Sequence, residues 1–375
     1  MIMLEKLVEN YKTKVGEIKT ADKLLKLYNP WCGVNLDRLI DDFFNSVDTN
    51  SKDFSWLNID KKLLELPENF CRNIHYGIPS HLIGDIDNGS LFLCLVNPNI
   101  EIDDKFIPDG IFSYYKQARE LNSNDDSMNI IDDRGFRVID RTFIKRYIVN
   151  SNKNILYSEL LKLKKLKELG IEYKKIKLNN IAYYFNNYVA NITISYLNNI
   201  KNLDKKYKTR EDLYNNIVND WEYIELMTQK IVNLEAYPFR SNNPNFTKDK
   251  NEAKKRFANN IVESTSCVSL FSSRIILWKI VDYLSNPKKL KPNFIFRRFN
   301  TVWLPSLISV LRCDLGYDDT LIESTISELH KTFFLTIETK DFDGQRNYTD
   351  TRLFRDDVHL INGEFNKFVK ETLNY

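Results

Sequence analysis

The stretch Leu91-Phe-Leu-Cys-Leu-Val-Asn97-Pro98 indicates the fold class: six apolar residues run without interruption and stop at an Asn-Pro pair. A short, unbroken apolar run is typical of a strand buried on both faces, as in a parallel sheet covered by helices. Proline disfavours helical geometry at the residue before it, so the chain leaves the strand at Asn97. Open α/β sheets bind ligands just beyond the carboxyl ends of their strands. Asn97 is therefore a candidate site residue, and an ordinary turn is the alternative.

A second segment has the same form. Ile231-Val-Asn233-Leu-Glu235-Ala-Tyr-Pro-Phe-Arg-Ser241 begins apolar, adds an amide and a carboxylate, and ends in an aromatic-Pro-aromatic-Arg-Ser turn. We predict a strand that brings Asn233 and Glu235 to the same edge of the sheet as Asn97. The alternative is a half-buried strand whose Glu235 faces solvent.

The rest of the chain alternates between helical and strand patterns. Helical spacing of apolar residues predicts helices within 1–75, 153–220, 275–284 and 304–330, and strands are predicted at Asn293–Arg298, Phe333–Ile337 and, more briefly, Phe136–Asp140. The alternation predicts an α/β fold, a three-layer αβα sandwich around a mostly parallel sheet of about four strands. We divide the chain into an N-terminal helical cap (1–75), the first half of the core (76–150), a basic helical insertion (151–225) and the second half of the core (226–375).

Composition limits the classes of function. The net charge of +3 excludes a uniformly basic surface, but lysines crowd 162–177 and 201–210. These clusters suit a phosphate backbone, and a solvated helical face explains them equally well. The 11 glycines form no phosphate-binding loop, and the sequence contains no serine-hydrolase nucleophile elbow.

Cysteine usage and hydropathy limit the cofactors and the location. Five cysteines lie far apart without a CxxC pair, which argues against zinc or an iron–sulfur cluster and fits a reducing cytoplasm. We therefore expect no metal and no cofactor. The sequence shows neither an apolar run of membrane-spanning length nor a signal-peptide pattern at Met1, so we expect a cytoplasmic protein that does not bind membranes.

The two amide-bearing segments together resemble motifs of the uracil-DNA glycosylase superfamily. After the lead-in Ile78–Ile86, Asn97 and Pro98 match the Gly-Ile-Asn-Pro-Gly motif of its mismatch-specific thymine/uracil branch, with Leu95 and Asn99 in place of the glycines. The stretch 233–241 resembles a strand and turn of bacterial, glycosylase-like members. Leu270-Phe-Ser-Ser-Arg274 resembles a Leu-Pro-Ser turn of the same proteins, with phenylalanine in place of proline.

The resemblance implies a monofunctional DNA glycosylase, which hydrolyses the N-glycosidic bond of a flipped-out nucleotide and leaves an abasic site. On the family's pattern Asn97 positions the water, Asn233 reads the base, and Glu235 is a general base or a neighbour of the reader. An aromatic residue after the first motif, Phe112, Tyr114 or Tyr115, is expected to stack on the base. The candidates for base binding beside Asn233 are Phe112, Tyr115 and Tyr237, and those for contact with DNA are Arg240, Ser272, Ser273, Arg274 and Arg298. For the aromatic residues at 112–115 the alternative is an anchor at a helix start. For Ser272 and Ser273 it is a helix N-cap, and for Arg298 a surface ion pair.

The substrate is expected to differ from uracil. The family's His-Pro-Ser motif has no match, and we assign no role to His75, His81, His330 or His359. Bacterial relatives of this kind are associated with defence against phage that carry modified bases. The resemblance therefore implies a bulky modified pyrimidine, such as glucosylated hydroxymethylcytosine in phage DNA. The alternatives are a uracil or mismatch repair glycosylase, and a catalytically inactive nucleic-acid-binding protein with the same fold.

Overall fold

The structure, a computed structural model, describes residues 2–64, 76–98, 110–120, 141–150, 154–200, 207–240, 261, 264–335, 337–340, 346–349 and 365–373. The predicted strand at Phe136–Asp140 and the histidines His75 and His359 lie outside these ranges.

Most α-helices of the described chain lie in the regions predicted to be helical, but those at 110–120, 141–148, 221–228 and 365–373 do not. The α-helices are α1 (Ile2–Lys14), α2 (Ala21–Tyr28), α3 (Val34–Thr49), α4 (Lys61–Leu64), α5 (Gly110–Glu120), α6 (Arg141–Ile148), α7 (Ile155–Glu168), α8 (Leu178–Ile181), α9 (Ala190–Ile200), α10 (Arg210–Asn216), α11 (Trp221–Thr228), α12 (Cys267–Ser285), α13 (Leu304–Leu315), α14 (Asp319–Thr332) and α15 (Phe365–Leu373). Two π-helices, Phe185–Val189 and Phe299–Trp303, immediately precede α9 and α13.

Six strands form one sheet in the spatial order β3-β1-β4-β2-β5-β6. They are β1 (Leu82–Ile83), β2 (Leu91–Leu95), β3 (Val149–Asn150), β4 (Ile231–Glu235), β5 (Asn293–Phe296) and β6 (Phe334–Leu335). Strands β4, β2, β5 and β6 are parallel to one another, whereas β1 is parallel to β3 and antiparallel to β4. The predicted mostly parallel sheet of an α/β fold is confirmed, and two-residue strands extend it at one edge.

The last predicted strand is split. Phe334 and Leu335 join the sheet, whereas Ile337 begins β7 (Ile337–Lys340), which pairs antiparallel with β8 (Arg346–Thr349) in a separate hairpin.

The two faces of the sheet lie against different helices. Alternate residues of β2 (Phe92 and Cys94) belong to a core shared with α1, α3, α12 and α13. The intervening residues of β2 (Leu91, Leu93 and Leu95) belong to a second core, shared with α7, α9, α10 and α11. Val369 and Leu373 of α15 contribute to the same core. The helices of 154–228 therefore pack, beside α15, against this face of the central strands. We call them the helical layer.

Helix α12 is the centre of the other layer. Thirteen of its 19 residues are buried, on all sides, because it lies between the sheet and the N-terminal helices. The Trp278 indole N–H donates to the Ile18 carbonyl at 2.9 Å and ties α12 to the chain that leaves α1. The helix begins at Cys267, and its N-cap is Ser266, whose hydroxyl accepts the Ser269 N–H.

The connections between strands reverse direction in the middle of the sheet. After β2 the chain forms β3 and β4 on one side of β2, and then β5 and β6 on the other side. In open α/β sheets such a reversal between adjacent strands leaves a crevice at their carboxyl ends, where ligands bind. Strand β2 ends beside this point.

Asn154 fastens the helical layer to the sheet. Its Oδ1 accepts the Leu156 N–H at 2.6 Å and caps α7, while its Nδ2 donates to the Thr228 carbonyl at 3.0 Å and to the Ile231 carbonyl of β4. The side chain is buried, so none of these groups finds water as a replacement partner.

We predict that Asn154→Ala lowers the free energy of unfolding by about 1–3 kcal/mol, since a helix cap and two buried hydrogen bonds are lost. Urea denaturation measures the change. The control is Asn219→Ala, at an exposed turn between α10 and α11, where no loss is expected. Equal stability of the two variants would contradict the role given to Asn154.

Candidate functional site

The carboxyl ends of β2 and β4 lie side by side. Leu95 is in register with Glu235, the last residue of β4. Pairing continues beyond the strands, since the Ala236 N–H donates to the Leu95 carbonyl at 3.1 Å and the Tyr237 N–H donates to the Val96 carbonyl at 3.0 Å. The two segments, far apart in the chain, therefore end together at one edge of the sheet.

Asn233 and Glu235 face the helical layer. Their partners in register, Leu93 and Leu95, pack in the core of that layer, and strand side chains alternate between faces. Both polar side chains are 4 % exposed. The Asn233 Oδ1 has no hydrogen-bond partner among the described residues. A buried amide oxygen without a partner is costly, and such a group is available to a ligand.

Glu235 is the least usual group at this edge. The Tyr184 hydroxyl donates to its Oε1 at 3.4 Å, while its Oε2 is buried and has no partner within the described chain. Burial raises the pKa of Glu235 from 4.5 to about 8, although Arg240, Tyr184 and Arg297 each lower it. At neutral pH the carboxyl is therefore mostly protonated, with an oxygen free to donate or accept a hydrogen bond.

A cleft opens at this edge between the sheet and the helical layer. It is lined by Ser80, Pro98, Tyr147, Ile155, Glu159, Asn179, Asn180, Ile181, Tyr183, Tyr184 and Arg240. It encloses about 570 Å³ with its open mouth included, but only about 40 Å³ admits the centre of a water molecule. Side chains of the cleft must therefore move for a ligand of the size of a nucleobase to enter.

The residues that line this cleft include Pro98 but not Asn233, Glu235 or Asn97. Asn97 directly precedes Pro98 in the chain. It is half-buried, and its Nδ2 donates to the Pro98 carbonyl at 3.0 Å and to the Phe239 carbonyl at 3.4 Å. The second bond ties the turn after β2 to the turn after β4. The predicted meeting of Asn97 with the Glu235 segment is thus present in the structure.

Arg240 also lines the cleft, as predicted for a residue near the ligand. Its Nε donates to the Ile78 carbonyl at 2.9 Å, and its guanidinium contacts the Tyr147 hydroxyl and stacks on that ring at 5.5 Å. A Cβ at Gly77 would lie 2.9 Å from the Arg240 Cδ, so only glycine leaves room for this arrangement. Arg240 is 5 % exposed, which suits an electrostatic role inside the cleft better than contact with an outer DNA phosphate.

Two of the aromatic residues predicted to bind the base, Tyr115 and Tyr237, are wrong for that role. Tyr115 is buried in the core of the opposite layer, and its hydroxyl donates to the Tyr76 carbonyl at 2.9 Å. Tyr237 is fully buried in the same core, because it points to the face of the sheet away from Glu235. Phe112 is half-buried on α5, where its N–H donates to Asn50, and it does not line the cleft.

The aromatic residues that do line the cleft are Tyr147, Tyr183 and Tyr184. Sequence reasoning missed them. The doublet Tyr183-Tyr184 follows the exposed pair Asn179-Asn180, and this clustering of amides and phenols was the only signal in the sequence. Nothing in the local pattern shows that the doublet faces β4.

The predicted DNA contacts in α12 are corrected by the structure. Ser272, Ser273 and Arg274 lie in the second turn of the helix or beyond, not at its start, and both serines are 1 % exposed. The Ser272 hydroxyl donates to the Glu235 carbonyl at 2.6 Å. Arg274 forms a bidentate ion pair with Asp314 at 2.8 Å. These groups bind the protein itself and do not reach DNA phosphate.

Arg298, by contrast, is exposed at the carboxyl end of β5. Its φ of 57° lies in the left-handed region, which non-glycine residues rarely adopt and which is typical of functional positions. Its side chain makes no ion pair or hydrogen bond with the described residues. The neighbouring Arg297 is half-buried and donates to the Tyr188 hydroxyl at 2.8 Å.

His81, the histidine nearest the first motif, is structural. Its Nδ1 accepts the Trp31 indole N–H at 3.0 Å, and its carbonyl accepts the Glu235 N–H at 3.0 Å. Burial lowers the pKa of His81 to about 3, so the ring is neutral at physiological pH. Its backbone supports the end of β4, while its side chain fills the opposite core.

Comparisons of the chain with protein families, with curated proteins and with solved structures find no match. Within the ranges that the structure describes, no group of three or more His, Cys, Asp and Glu side chains is placed to hold a metal ion. No helix of those ranges is long and apolar enough to cross a membrane.

The raised pKa of Glu235 predicts a stability effect. The folded state holds the Glu235 proton more tightly than the unfolded chain does. The free energy of unfolding therefore falls as the pH rises from about 4.5 to about 8, and this loss is constant above pH 8. We predict that Glu235→Gln matches the wild type near pH 4.5 and is more stable by on the order of 5 kcal/mol near pH 9.

Thermal and urea unfolding at several pH values measure this difference. The matched control is Glu222→Gln, the same substitution at an exposed position of α11. A Glu235→Gln variant that is less stable than the wild type at every pH would show that the carboxylate is favourably paired instead.

Proposed function

We propose that the protein is a DNA glycosylase of the uracil-DNA glycosylase superfamily, which excises a modified pyrimidine and leaves an abasic site. The observation that carries this proposal is Glu235: a buried, mostly protonated carboxyl beside the turn that carries Asn97, with one oxygen that has no partner among the described residues. Glu235 does not line the cleft, but it accepts a hydrogen bond from Tyr184, which does. A perturbed carboxyl beside a cleft is a candidate for acid–base chemistry.

The proposed reaction breaks the bond between the anomeric carbon and the base nitrogen, and the electron pair leaves with the base. The Glu235 carboxyl donates its proton to the departing base, which avoids release of an anion. Asn97, which bears an amide and no charge, positions the water that attacks the anomeric carbon. The attacking water then returns a proton to the Glu235 carboxylate, which restores the enzyme.

The polar contacts of the cleft support a base with a hydrophilic substituent. Tyr183 and Tyr184 line the cleft and offer rings for stacking. Asn233 does not line it, and we assign its buried amide oxygen, which has no partner among the described residues, to the base edge. Ser80, Asn179 and Asn180 line the same cleft and can bind hydroxyl groups beyond the ring. These donors and acceptors suit the glucosylated hydroxymethylcytosine that the sequence resemblance implies, as part of antiphage defence.

The test is incubation with DNA that carries glucosylated hydroxymethylcytosine, and with matched uracil DNA, followed by alkaline cleavage at abasic sites. We expect cleavage of the glucosylated DNA. Asn97→Ala and Glu235→Gln should each lower the rate by about 100-fold or more, because water positioning and proton transfer are lost. The wild-type rate should fall as pH rises through about 8, because the protonated acid is then lost. Glu222→Gln is the control.

Other outcomes identify the alternatives. Cleavage of uracil DNA alone would contradict the modified-base substrate and indicate a repair enzyme. Salt-sensitive binding to DNA without abasic sites in any substrate would contradict catalysis and indicate a binding protein.

Arg298 gives a separate prediction about DNA binding. If its exposed guanidinium contacts one phosphate, Arg298→Ala weakens binding to all sequences alike and reduces the slope of log K against log salt by about one. Arg38→Ala, an exposed arginine of α3 in the opposite layer, is the control. An unchanged salt slope in Arg298→Ala, measured by fluorescence anisotropy, would remove this residue from the interface.

A further inference from the structure

The helical layer carries a buried carboxylate, Glu159, that the proposed chemistry does not use. It lies on α7, 4 % exposed, and lines the cleft. Its Oε1 accepts the Tyr184 N–H at 3.0 Å, and its Oε2 accepts the Phe185 N–H at 2.7 Å. Both carboxylate oxygens are therefore bonded to the backbone at the start of the π-helix Phe185–Val189, where N–H groups lack helical partners.

We propose that Glu159 is a positioning residue: it fixes the backbone at Tyr184 and so keeps the Tyr184 hydroxyl on the Glu235 carboxyl. This inference rests on the proposed function, in which Glu235 is the acid. Glu159 itself does not contact the reacting atoms.

The π-helix brings two tyrosines to the ends of two strands. Tyr184 donates to Glu235 after β4, and Tyr188 accepts from Arg297 after β5. The two phenol rings lie 5.9 Å apart, and Tyr183 contacts both, at 5.7 Å and 5.9 Å. π-Helices are rare and often occur at functional sites. Glu159 holds the first residues of the π-helix. The position of Glu159 therefore sets the geometry of the cluster formed by Tyr183, Tyr184 and Tyr188.

The hydrogen bond from Tyr184 to Glu235 has a measurable effect on the pKa of Glu235. The groups that face this carboxyl are Tyr184 from the helical layer, Arg240 after β4 and Arg297 after β5, while the Cys94 thiol of β2 interacts with it from the opposite face of the sheet. Burial holds the pKa of Tyr184 well above its ordinary value, so its hydroxyl stays protonated and remains a donor. Its hydrogen bond lowers the pKa of Glu235. Loss of the contact must therefore raise that pKa.

A carboxylate is required at position 159 because two N–H donors converge on it. Glutamine offers one acceptor oxygen, and its amide group would face the second N–H without forming a bond. Glu159→Gln therefore releases one of the two backbone contacts with little change in size.

The experiment compares Glu159→Gln, Tyr184→Phe and the double variant with the wild type. We expect Glu159→Gln to lower kcat by about tenfold with a smaller effect on KM, because a small displacement near the reacting groups is costly. The fall of the rate at alkaline pH should move to higher pH in both single variants. The double variant should add little, since both changes remove the same contact. Glu168→Gln, exposed on the same helix, is the control.

A second measurement is independent of catalysis. The carboxyl band of Glu235, assigned by infrared difference against Glu235→Gln, gives its pKa in the wild type and in each variant. A shift to higher pH in Glu159→Gln and Tyr184→Phe supports the inference even if no DNA substrate is cleaved. An unchanged Glu235 pKa in Glu159→Gln, with Tyr184→Phe shifted, would overturn it and leave Glu159 a purely structural residue. Absence of abasic sites from all substrates would instead contradict the proposed function.

Discussion

Burial of the Glu235 carboxyl at the end of a parallel strand is the constraint on which the candidate site depends. Between a sheet and a layer of helices the carboxylate loses its water, and the neutral form is favoured. Arg240, Arg297 and the Tyr184 hydroxyl oppose this only in part, so the pKa stays at about 8. The proton affinity of the group is thus set by the balance of burial against three partners from three elements.

This burial follows from how the sheet is covered. Strands β2 and β4 are buried on both faces, so each face is covered by a layer of helices. The side that faces away from the helical layer is filled by α12 and the N-terminal helices, and it contains ordinary packing. The helical layer contains polar groups among its apolar ones, among them Glu159 and Asn154. Asn233 and Glu235 point toward this layer, so the buried polar side chains of the sheet and of the helices lie on the same side of the sheet.

The helical layer therefore has two functions in the fold. Its apolar residues, such as Leu156 and Leu160, close the second core over β2 and β4. Its tyrosines and asparagines line the cleft at the carboxyl edge. The sequence suggests an insertion at 151–225. In the structure these helices pack in one core with the leucines of β2 and, together with α15, complete that core.

The sequence by itself determined the parallel sheet and the convergence of Asn97 with the Glu235 segment. An unbroken apolar run requires two covered faces, and the carboxyl ends of adjacent parallel strands share an edge. Local pattern did not determine where a helix begins among several serines: Ser266 caps α12, and Ser272, Ser273 and Arg274 are buried inside it. Nor did it separate aromatic residues of the core, Tyr115 and Tyr237, from those of the cleft, Tyr183 and Tyr184. Only tertiary structure decided these points, because facing and burial depend on which element packs against a residue from elsewhere in the chain.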